Sequence, residues 1–199
     1  RSDQLRVENV DVQGLTLDVN LLNDNLSGHV FIGETVVNGF QVENANIELQ
    51  GKADSVLVKV GWLNKDESSK AEIAAQLVVL GPQRMNVELK PSEIGNKDWL
   101  WKMEKSSIIE IDSTSFFVEN LLVSSKDQLF TVHGFLSEDP NDVLAVNLSN
   151  INLSALDSGL FFNQQLRGNP NIQGTLKDAY GDKLVHAEAD IDEFQIGEY

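Results

Sequence analysis

The chain has 199 residues, no cysteine and a formal net charge of −16, from 31 acidic and 15 basic residues. This acidic balance argues against binding to a nucleic-acid backbone or to anionic lipid headgroups, which both require a basic surface. The lack of cysteine excludes disulfides, thiolate metal sites and a thiol nucleophile. No run approaches the roughly 18 to 20 apolar residues of a membrane span. We expect a soluble piece of a longer protein, with any leader or anchor outside it.

Alternating apolar residues predict strands in the N-terminal part of the chain. Leu5–Leu22 alternates almost throughout but changes phase at Gly14, which indicates a bulge or a tight turn between two strands. His29–Ile32 is predicted as a short strand that ends at a glycine. Glu34–Phe40 follows it and contains Asn38-Gly39, a strong signal for a two-residue hairpin turn.

The segments that follow continue the same alternation. Gln41–Gln50 is a predicted strand, and Ser55–Trp62 is the clearest strand of the chain because its valines all fall on one face. Ala71–Leu80 fits either a helix or a strand by composition. We favour a strand because the neighbouring segments form a meander and Gly81-Pro82 ends the run. Arg84–Lys90 is predicted as the next strand.

The stretch Pro91–Lys102 departs from this rhythm. Trp99 and Trp101 have the same parity there, which is typical of a packed edge or a crossover and is also compatible with a sugar-stacking platform. We therefore place a candidate sub-boundary near residues 91–106, inside a single segment that spans residues 1–199.

The C-terminal half begins with a predicted hairpin. Phe116–Val123 and Gln128–Phe135 alternate on either side of the polar turn Ser124–Asp127. Further elements are predicted beside this hairpin. They are strands at Ser107–Asp112, Val143–Asn150, Gly168–Tyr180 and Lys183–Phe194, and one short helix within Asn152–Phe162.

The tripeptide Val-Glu-Asn occurs three times, beginning at Val7, Val42 and Val118. The separations of 35 and 76 residues are close to one and two periods of about 35 to 38 residues, a range that is typical of solenoids and arrays. We interpret the tripeptide as a mark of strand register in a stacked array, not as a catalytic motif.

The sequence carries no recognisable catalytic or cofactor-binding motif. His29, His133 and His186 lie far apart in sequence, and no nucleophile elbow, phosphate-binding loop or dinucleotide fingerprint is present. The acidic runs 138–142 and 188–193 offer oxygen ligands but lack the loop glycine and spacing of a calcium site. We predict no metal, no cofactor and no enzymatic activity.

Three stretches resemble the translocation and assembly module family, the TamB group of AsmA-like proteins, in the form found in Bacteroidetes. The first is MNVELKPSEIGNKDWLWKM at 85–103, a strand stopped by Pro-Ser and followed by tryptophan. The second is 108–156, similar to the family's succession of strands, a glycine and a Leu-x-Asn-x-x-Leu unit. The third is GNPNIQGTLKDAYGDKLVHAEADIDEF at 168–194, similar to its Gly-x-Leu-x-Asp-x-Tyr-Gly unit.

The resemblance implies an all-β, elongated and repetitive antiparallel solenoid, the half-open "β-taco". It implies a periplasmic segment of a protein anchored in the inner membrane outside this fragment. An apolar groove would shield lipid acyl chains, or nascent outer-membrane protein strands, between the two membranes. An outer-membrane barrel partner would likewise lie outside the fragment.

The residues themselves are compatible with two arrangements. In the first, apolar residues of one parity line an open groove, since large exposed apolar surfaces mark binding sites. The groove candidates chosen by parity are Val56, Val58, Val60, Phe130, Val132, Leu144, Val146 and Leu148. In the second, the strands close into a β-sandwich or jelly-roll module for adhesion or carbohydrate binding, with Trp99 and Trp101 exposed.

Overall fold

A computed structural model describes residues 2–7, 10–37, 40–66, 68–97, 99–154 and 166–197. The described chain is all-β, in one large antiparallel sheet of fifteen strands. In chain order these strands are β1 Ser2–Val7, β2 Val10–Leu22, β3 Asn25–Val37, β4 Phe40–Lys52, β5 Ser55–Leu63, β6 Lys70–Gly81, β7 Arg84–Leu89, β8 Ser92–Gly95, β9 Leu100–Met103, β10 Ser107–Ile111, β11 Phe116–Ser125, β12 Gln128–Leu136, β13 Val143–Ser149, β14 Leu166–Lys177 and β15 Leu184–Ile196.

The strands follow one another across the sheet in chain order, except in the centre. Most connections are short turns, and several hold a residue in the left-handed conformation, such as Asp24 (φ 62°), Ala53 (φ 50°) and Lys126 (φ 57°). Turn residues with positive φ match the right-handed twist of the paired strands. The result is a long antiparallel meander, in which neighbours in sequence are neighbours in space.

Two rows in the centre are each made of two shorter strands. β7 and β8 both pair with β6, β9 and β10 both pair with β11, and the two rows also pair with each other. The first row breaks at Lys90-Pro91, and the second breaks at residues 104–106, one residue longer. Proline has no N–H to donate to the hydrogen-bond ladder, and the extra residue in the second row acts as a bulge. We therefore expect both rows to bend where they break. The sheet continues across residues 91–106, where we placed the candidate sub-boundary.

A line of irregular residues crosses three neighbouring strands near the N-terminus. Gly14 on β2 (φ 65°) lies beside Gly33 on β3, and Asn44 on β4 has φ 54°. Val42 and Ala45 on either side of Asn44 are both buried, although they are three residues apart. The sequence parity of the buried residues therefore changes at Asn44. The phase shift at Gly14 is a local irregularity of this kind and does not end β2.

A second change of parity occurs in β11. Val118 pairs with Gly134 and Leu121 pairs with Val132, so Glu119 and Asn120 form a bulge between them. Two of the three Val-Glu-Asn copies, those at 42 and 118, thus lie at points where the parity of the apolar residues changes. The first copy differs, because Val7 is the last residue of β1 and residues 8–9 lie outside the described part.

Residues opposite one another in an antiparallel ladder point to the same side of the sheet. The register therefore connects one row of apolar side chains from strand to strand, which we call the apolar face. Its members on the main strands are Leu17, Val19 and Leu21; Leu26 and Val30; Ile47 and Leu49; Val56, Val58 and Val60; Ile73, Ala75 and Leu77; Met85, Val87 and Leu89; Ile109 and Ile111; Phe116, Val118, Leu121 and Val123; Phe130 and Val132; Leu144, Val146 and Leu148; Ile172 and Leu176; and Val185, Ala187, Ala189 and Ile191.

The opposite side, the polar face, has a different composition. Its members include Asp18, His29, Glu48, Lys59, Glu72, Gln76, Glu88, Glu110, Thr131, His133, Asn147, Gln173, Glu188 and Asp190. Alternation of apolar and polar residues is what a strand needs when its two sides meet different environments.

The sheet exposes more surface than a compact protein of this mass. Its accessible surface is 12868 Å² for 22.0 kDa, against about 9300 Å² expected from the scaling of compact monomers. Wherever two described strands have extensive close backbone contacts, the two strands are hydrogen-bonded neighbours in the sheet. The excess surface follows from a single layer with a large part of each side open to solvent.

Several sequence predictions can be compared with these elements. The strand assigned to Ala71–Leu80 is confirmed as β6, and the hairpin around Ser124–Asp127 is confirmed as β11 and β12. The short strand His29–Ile32 is wrong in extent, because Gly33 is accommodated inside the 13-residue strand β3. The helix predicted within Asn152–Phe162 lies mostly outside the described residues.

Candidate apolar binding face

All eight groove candidates lie on the apolar face. On β12 and β13 they form direct cross-strand pairs, Phe130 with Leu148 and Val132 with Val146, and Leu144 lies opposite Gly134. The three valines of β5 are five rows away in the sheet. Directly opposed residues have Cβ atoms roughly 5 Å apart, so each pair forms a continuous apolar contact.

The register connects the β5 valines to this second group without changing side. Val56 lies opposite Leu77, and Leu77 opposite Val87. The ladder continues from Val87 to Ile109 and then to Val118 on β11. Sequence parity had selected residues from three strands, and the structure places further members of the same face on every strand between them. The intermediate strands had been predicted, but none of their residues had been chosen as a groove candidate.

The apolar face is deepest near the middle of the sheet. Val118 is 2% exposed and Leu136 is 5% exposed, and Met103 near the broken rows is also buried. Bulges increase local twist and bend a strand, and the irregularities at Pro91, 104–106 and Glu119-Asn120 fall in this central part. Burial of side chains in a single-layer sheet is expected where the sheet curves around them.

The same face is open towards both ends of the sheet. On β2, Leu17, Val19 and Leu21 are 53–72% exposed, and on β15 Val185 is 74% exposed. The six candidates on β5 and β13 are half-buried. Exposure thus rises from the centre to the terminal strands. Contiguous apolar surface of this kind is uncommon on soluble monomers, and it marks surfaces that bind another molecule.

Buried polar side chains hold the loops along one edge of the sheet. This edge is formed by strand ends and is the one at which β5 ends and β6 begins. Asn64, which is 3% exposed, accepts a hydrogen bond from the Glu43 backbone N–H (2.8 Å) and donates to the Gln41 carbonyl (2.8 Å) and the Ser68 hydroxyl (3.1 Å). The indole N–H of Trp62 donates to Ser69 Oγ at 2.8 Å. These bonds satisfy polar groups that would otherwise be costly to bury.

A comparable contact occurs further along this edge. Gln128 is 8% exposed, and its Oε1 accepts a hydrogen bond from the Asn152 backbone N–H at 2.8 Å. The Asn150 backbone N–H donates to Asn171 Oδ1 at 3.0 Å, which connects β13 to β14 beyond the ladder. The edge is therefore held by specific hydrogen bonds, which no periodic pattern of residues had indicated.

The tryptophans lie near this edge and are not fully exposed. Trp101 lies opposite Ile94, and Ile94 lies opposite Ala71. Ala71 in turn lies opposite Trp62, so both tryptophans are on the apolar face. Trp99 and Trp101 are both half-buried. A sugar-stacking platform requires aromatic rings whose faces are open to solvent. A β-sandwich requires two packed sheets, whereas all described strands belong to one sheet. The carbohydrate-module alternative thus has less support than the open face.

The polar face carries a small ion-pair network. Lys70 Nζ lies 2.6 Å from one Glu93 oxygen, and Lys102 Nζ lies 3.6 Å from the other. The hydrogen bond from Lys70 lowers the pKa of Glu93, and the charges of both lysines add to this effect. On β7, a hydrogen bond from Lys90 lowers the pKa of Glu88. Such pairs on a solvated surface stabilise the fold modestly.

The other residues considered for chemistry lie apart. Within the described ranges, no three His, Asp or Glu side chains form a group that could hold a metal ion, and no helix is long and apolar enough to span a membrane. The three histidines are exposed on separate strands. The acidic run at 138–142 forms a turn in which Asp139 accepts hydrogen bonds from the Asn141 backbone and side chain, both at 2.9 Å.

Comparison with known proteins adds no relative to this description. No protein-family model, no curated protein and no solved structure matches the chain.

Proposed function

We propose that the apolar face forms the lining of a half-open groove that shields lipid acyl chains from water. The observation that carries the proposal is the continuity of this face, which runs through the register from β2 to β15 and is widely exposed at both ends. Acyl chains are the apolar ligands that a long, smooth surface of Val, Leu and Ile accommodates without specific polar contacts.

The magnitude of the exposed surface supports a ligand in the groove. Transfer of apolar surface from water is favourable by about 25 cal/mol per Å². A face left open over many strands therefore retains a large free energy that a chain molecule of matching length can recover. Twelve rows from β2 to β15, about 4.8 Å apart, give a groove roughly 53 Å long, enough for several acyl chains side by side.

The charge distribution is consistent with transport of the apolar part of a lipid. The chain has a net charge of −16, and described acids such as Asp18, Glu48 and Glu72 lie on the polar face. Such a charge keeps a protein with an open apolar face soluble. In this proposal the acyl chains lie along the apolar face, and the headgroups stay in water beyond the strand ends.

The cellular setting belongs to the same proposal. The resemblance to the TamB group implies a periplasmic, solenoid-like segment of an envelope-biogenesis protein, with the membrane anchor and an outer-membrane barrel partner outside these residues. Unfolded outer-membrane protein strands are the other cargo that this resemblance implies. Acyl chains are favoured here because the half-buried centre of the face is lined by side chains alone and offers no open ladder of backbone groups.

Displacement of a fluorescent fatty acid tests the groove. The variants Val58→Asp and Val146→Asp place a charge on the apolar face, and Lys59→Asp and Asn147→Asp place the same residue on the polar face next to them. We expect at least tenfold weaker binding for the first pair and unchanged binding for the second. If Val58→Asp and Val146→Asp fold normally and bind the fatty acid as before, the assignment of the apolar face as the lining of the groove is wrong.

Loss of folding in the aspartate variants would require a milder change. Val58→Thr and Val146→Thr preserve the side-chain shape and add one hydroxyl group. They should weaken binding several-fold while circular dichroism remains unchanged. Unchanged binding in these folded variants would also contradict the groove.

A further inference from the structure

The strand ends form two long edges of the sheet, and these edges differ in their connections. At one edge, which we call the turn edge, two-residue connections join β2 to β3, β4 to β5 and β6 to β7. At the opposite edge, which we call the loop edge, the connection from β5 to β6 is longer and spans residues 64–69. Both edges consist of connections between consecutive strands, so each connection has neighbouring strands on both sides.

The burial of the apolar face changes along single strands, from one edge to the other. On β6, Ala71 beside the loop edge is 6% exposed, whereas Val79 beside the turn edge is 50% exposed. On β10, Ser107 is buried and Ile111, at the turn edge, is exposed. β12 is the exception, since both of its end residues on this face are buried. On β6 and β10 the apolar face is therefore open towards the turn edge.

Hydrogen bonds and an aromatic ring close the loop edge. Trp62 lies opposite Ala71 on the apolar face, and its indole N–H donates to Ser69 Oγ at 2.8 Å. Ser69 is itself buried, and its carbonyl oxygen accepts a hydrogen bond from the Asn64 backbone N–H at 2.9 Å. Because the ring of Trp62 is bonded to the loop, it occupies the loop end of the apolar face.

The turn edge has an amphipathic cavity in the corresponding place. Its volume is about 460 Å³, and it is lined by Leu21, Leu26, Gly51, Ala53 and Val56 and by the charged residues Asp24, Lys52 and Asp54. All three charged side chains are exposed. A polar group at this end of the face can stay hydrated, whereas at the loop edge it would lose water without a partner.

The apolar face of β6 has the length of one extended acyl chain. The residues from Ala71 to Val79 cover roughly 26 Å at a rise of about 3.3 Å per residue. Two acyl chains end to end span the hydrocarbon core of a bilayer, which is about 30 Å thick. One membrane acyl chain therefore fits along a single strand, between the cavity at the turn edge and the closed loop edge.

We propose that each acyl chain lies parallel to the strands, with its polar end at the turn edge and its methyl end against the loop edge. The closed loop edge then limits the length of chain that the face can bury. Amphiphiles whose chains have ordinary membrane length are the ligand class that this arrangement selects.

This inference rests on the proposed function, since it gives the direction of the acyl chains within the groove. The alternative is a chain that crosses the strands along the long axis of the groove. Such a chain would have no end at the loop edge and no preferred edge for its polar group. The two directions therefore differ in how they respond to a change at one end of a strand.

Competition of decanoate and palmitate with the fluorescent fatty acid distinguishes the two directions. Palmitate should bind the wild type at least tenfold more tightly, because its additional methylene groups are buried. Ile73→Trp places a large ring near the loop edge and should weaken palmitate at least fivefold, while decanoate changes by less than about twofold. The matched control Val79→Trp places the same ring on the same strand and face at the turn edge, and the palmitate-to-decanoate ratio should stay as in the wild type.

Equal weakening of both acids by Ile73→Trp would overturn the inference, because only a chain that ends at the loop edge is shortened there. If Ile73→Trp does not fold, Val60→Trp replaces it, since Val60 lies opposite Ile73 on β5. The same selective loss of palmitate is expected for this variant.

Two spin-labelled stearates test the direction in the wild-type chain, one with the nitroxide near the carboxylate and one with it near the methyl end. The first should broaden the methyl signals of Val56 and Val79 more than those of Val60 and Ile73, and the second should do the reverse. Equal broadening by both labels, or the opposite order, would overturn the direction and leave the groove standing. Absence of broadening on the apolar face with either label would overturn both the direction and the proposed function.

Discussion

Val118 on β11 lies directly opposite Gly134 on β12, next to the bulge at which the parity of the apolar residues of β11 changes. Val118 is 2% exposed, and Gly134 adopts φ 130°, a conformation that L side chains rarely adopt. This pair lies in the deepest part of the apolar face. The bulge of β11 and the most deeply buried part of the apolar face therefore meet at this pair.

Gly134→Ala should destabilise the protein strongly. A Cβ atom at this position would overlap the carbonyl oxygen of Val143 on the neighbouring strand, and the positive φ adds backbone strain. We expect a loss of about 2 kcal/mol or more in the free energy of unfolding, measured with urea. Gly174→Ala is the matched control, since a Cβ there meets nothing closer than 3.8 Å. Equal stability of the two variants would contradict this account of Gly134.

Asn64→Ala should also destabilise the protein, because it removes a buried side chain with three hydrogen bonds. The Glu43 N–H and the Gln41 carbonyl would lose their partners in a buried site. A cost of about 2 to 3 kcal/mol in the free energy of unfolding is expected. The exposed Asn20→Ala should change it by less than about 0.5 kcal/mol. A neutral Asn64→Ala variant would show that the contact does not hold the edge.

Glu93→Gln should make stability less dependent on pH. The pKa of Glu93 is lowered in the folded protein by the hydrogen bond from Lys70, so its contribution is present above the unfolded pKa and is lost as pH falls through the folded value. At pH 7 we expect Glu93→Gln to cost below about 1 kcal/mol. At pH values well below the lowered pKa of Glu93 in the folded protein, the variant and the wild type should be equally stable. A difference that persists at low pH would argue against this ion pair.

Brominated fatty acids should quench tryptophan fluorescence selectively. Trp62 and Trp101 lie on the apolar face, and Trp99 precedes β9 in a turn. Three variants that each keep one tryptophan, with phenylalanine at the other two positions, separate the signals. We expect quenching at Trp101 to exceed that at Trp99 at the same ligand concentration. Stronger quenching at Trp99 would indicate that the ligand lies outside the apolar face.

Local alternation predicted the facing of the strands well, since parity depends only on the pleat. The eight groove candidates share one face for this reason, and β6 was assigned correctly from its flanking turns. The phase shift at Gly14 was visible in the sequence, although its cause, an irregular line through Gly33 and Asn44, required the neighbouring strands. The sequence prediction divided long strands such as β3, because a glycine inside a strand cannot be distinguished from a turn glycine by sequence alone.

Features that depend on distant contacts could not be predicted in this way. The β8–β9 hairpin replaces parts of two central rows, and its pairing with β6 and β11 is set by residues far apart in the chain. Asn64 and Gln128 contact backbone groups more than 20 residues away, with no periodic signal. Alternation also predicts on which face of the sheet each side chain lies. It does not predict whether that face is buried or exposed to solvent, because burial depends on the curvature of the whole sheet.

Paramagnetic broadening by a spin-labelled fatty acid tests the central claim most directly, because it reports which face the acyl chain contacts. Methyl signals of the apolar-face residues Val58, Val60, Val132 and Val146 should lose intensity on addition of the ligand. Methyl signals of Leu57, Leu129 and Val143 on the polar face should retain it. Broadening of the polar-face methyls, or of neither group, would contradict the proposal that the apolar face shields acyl chains.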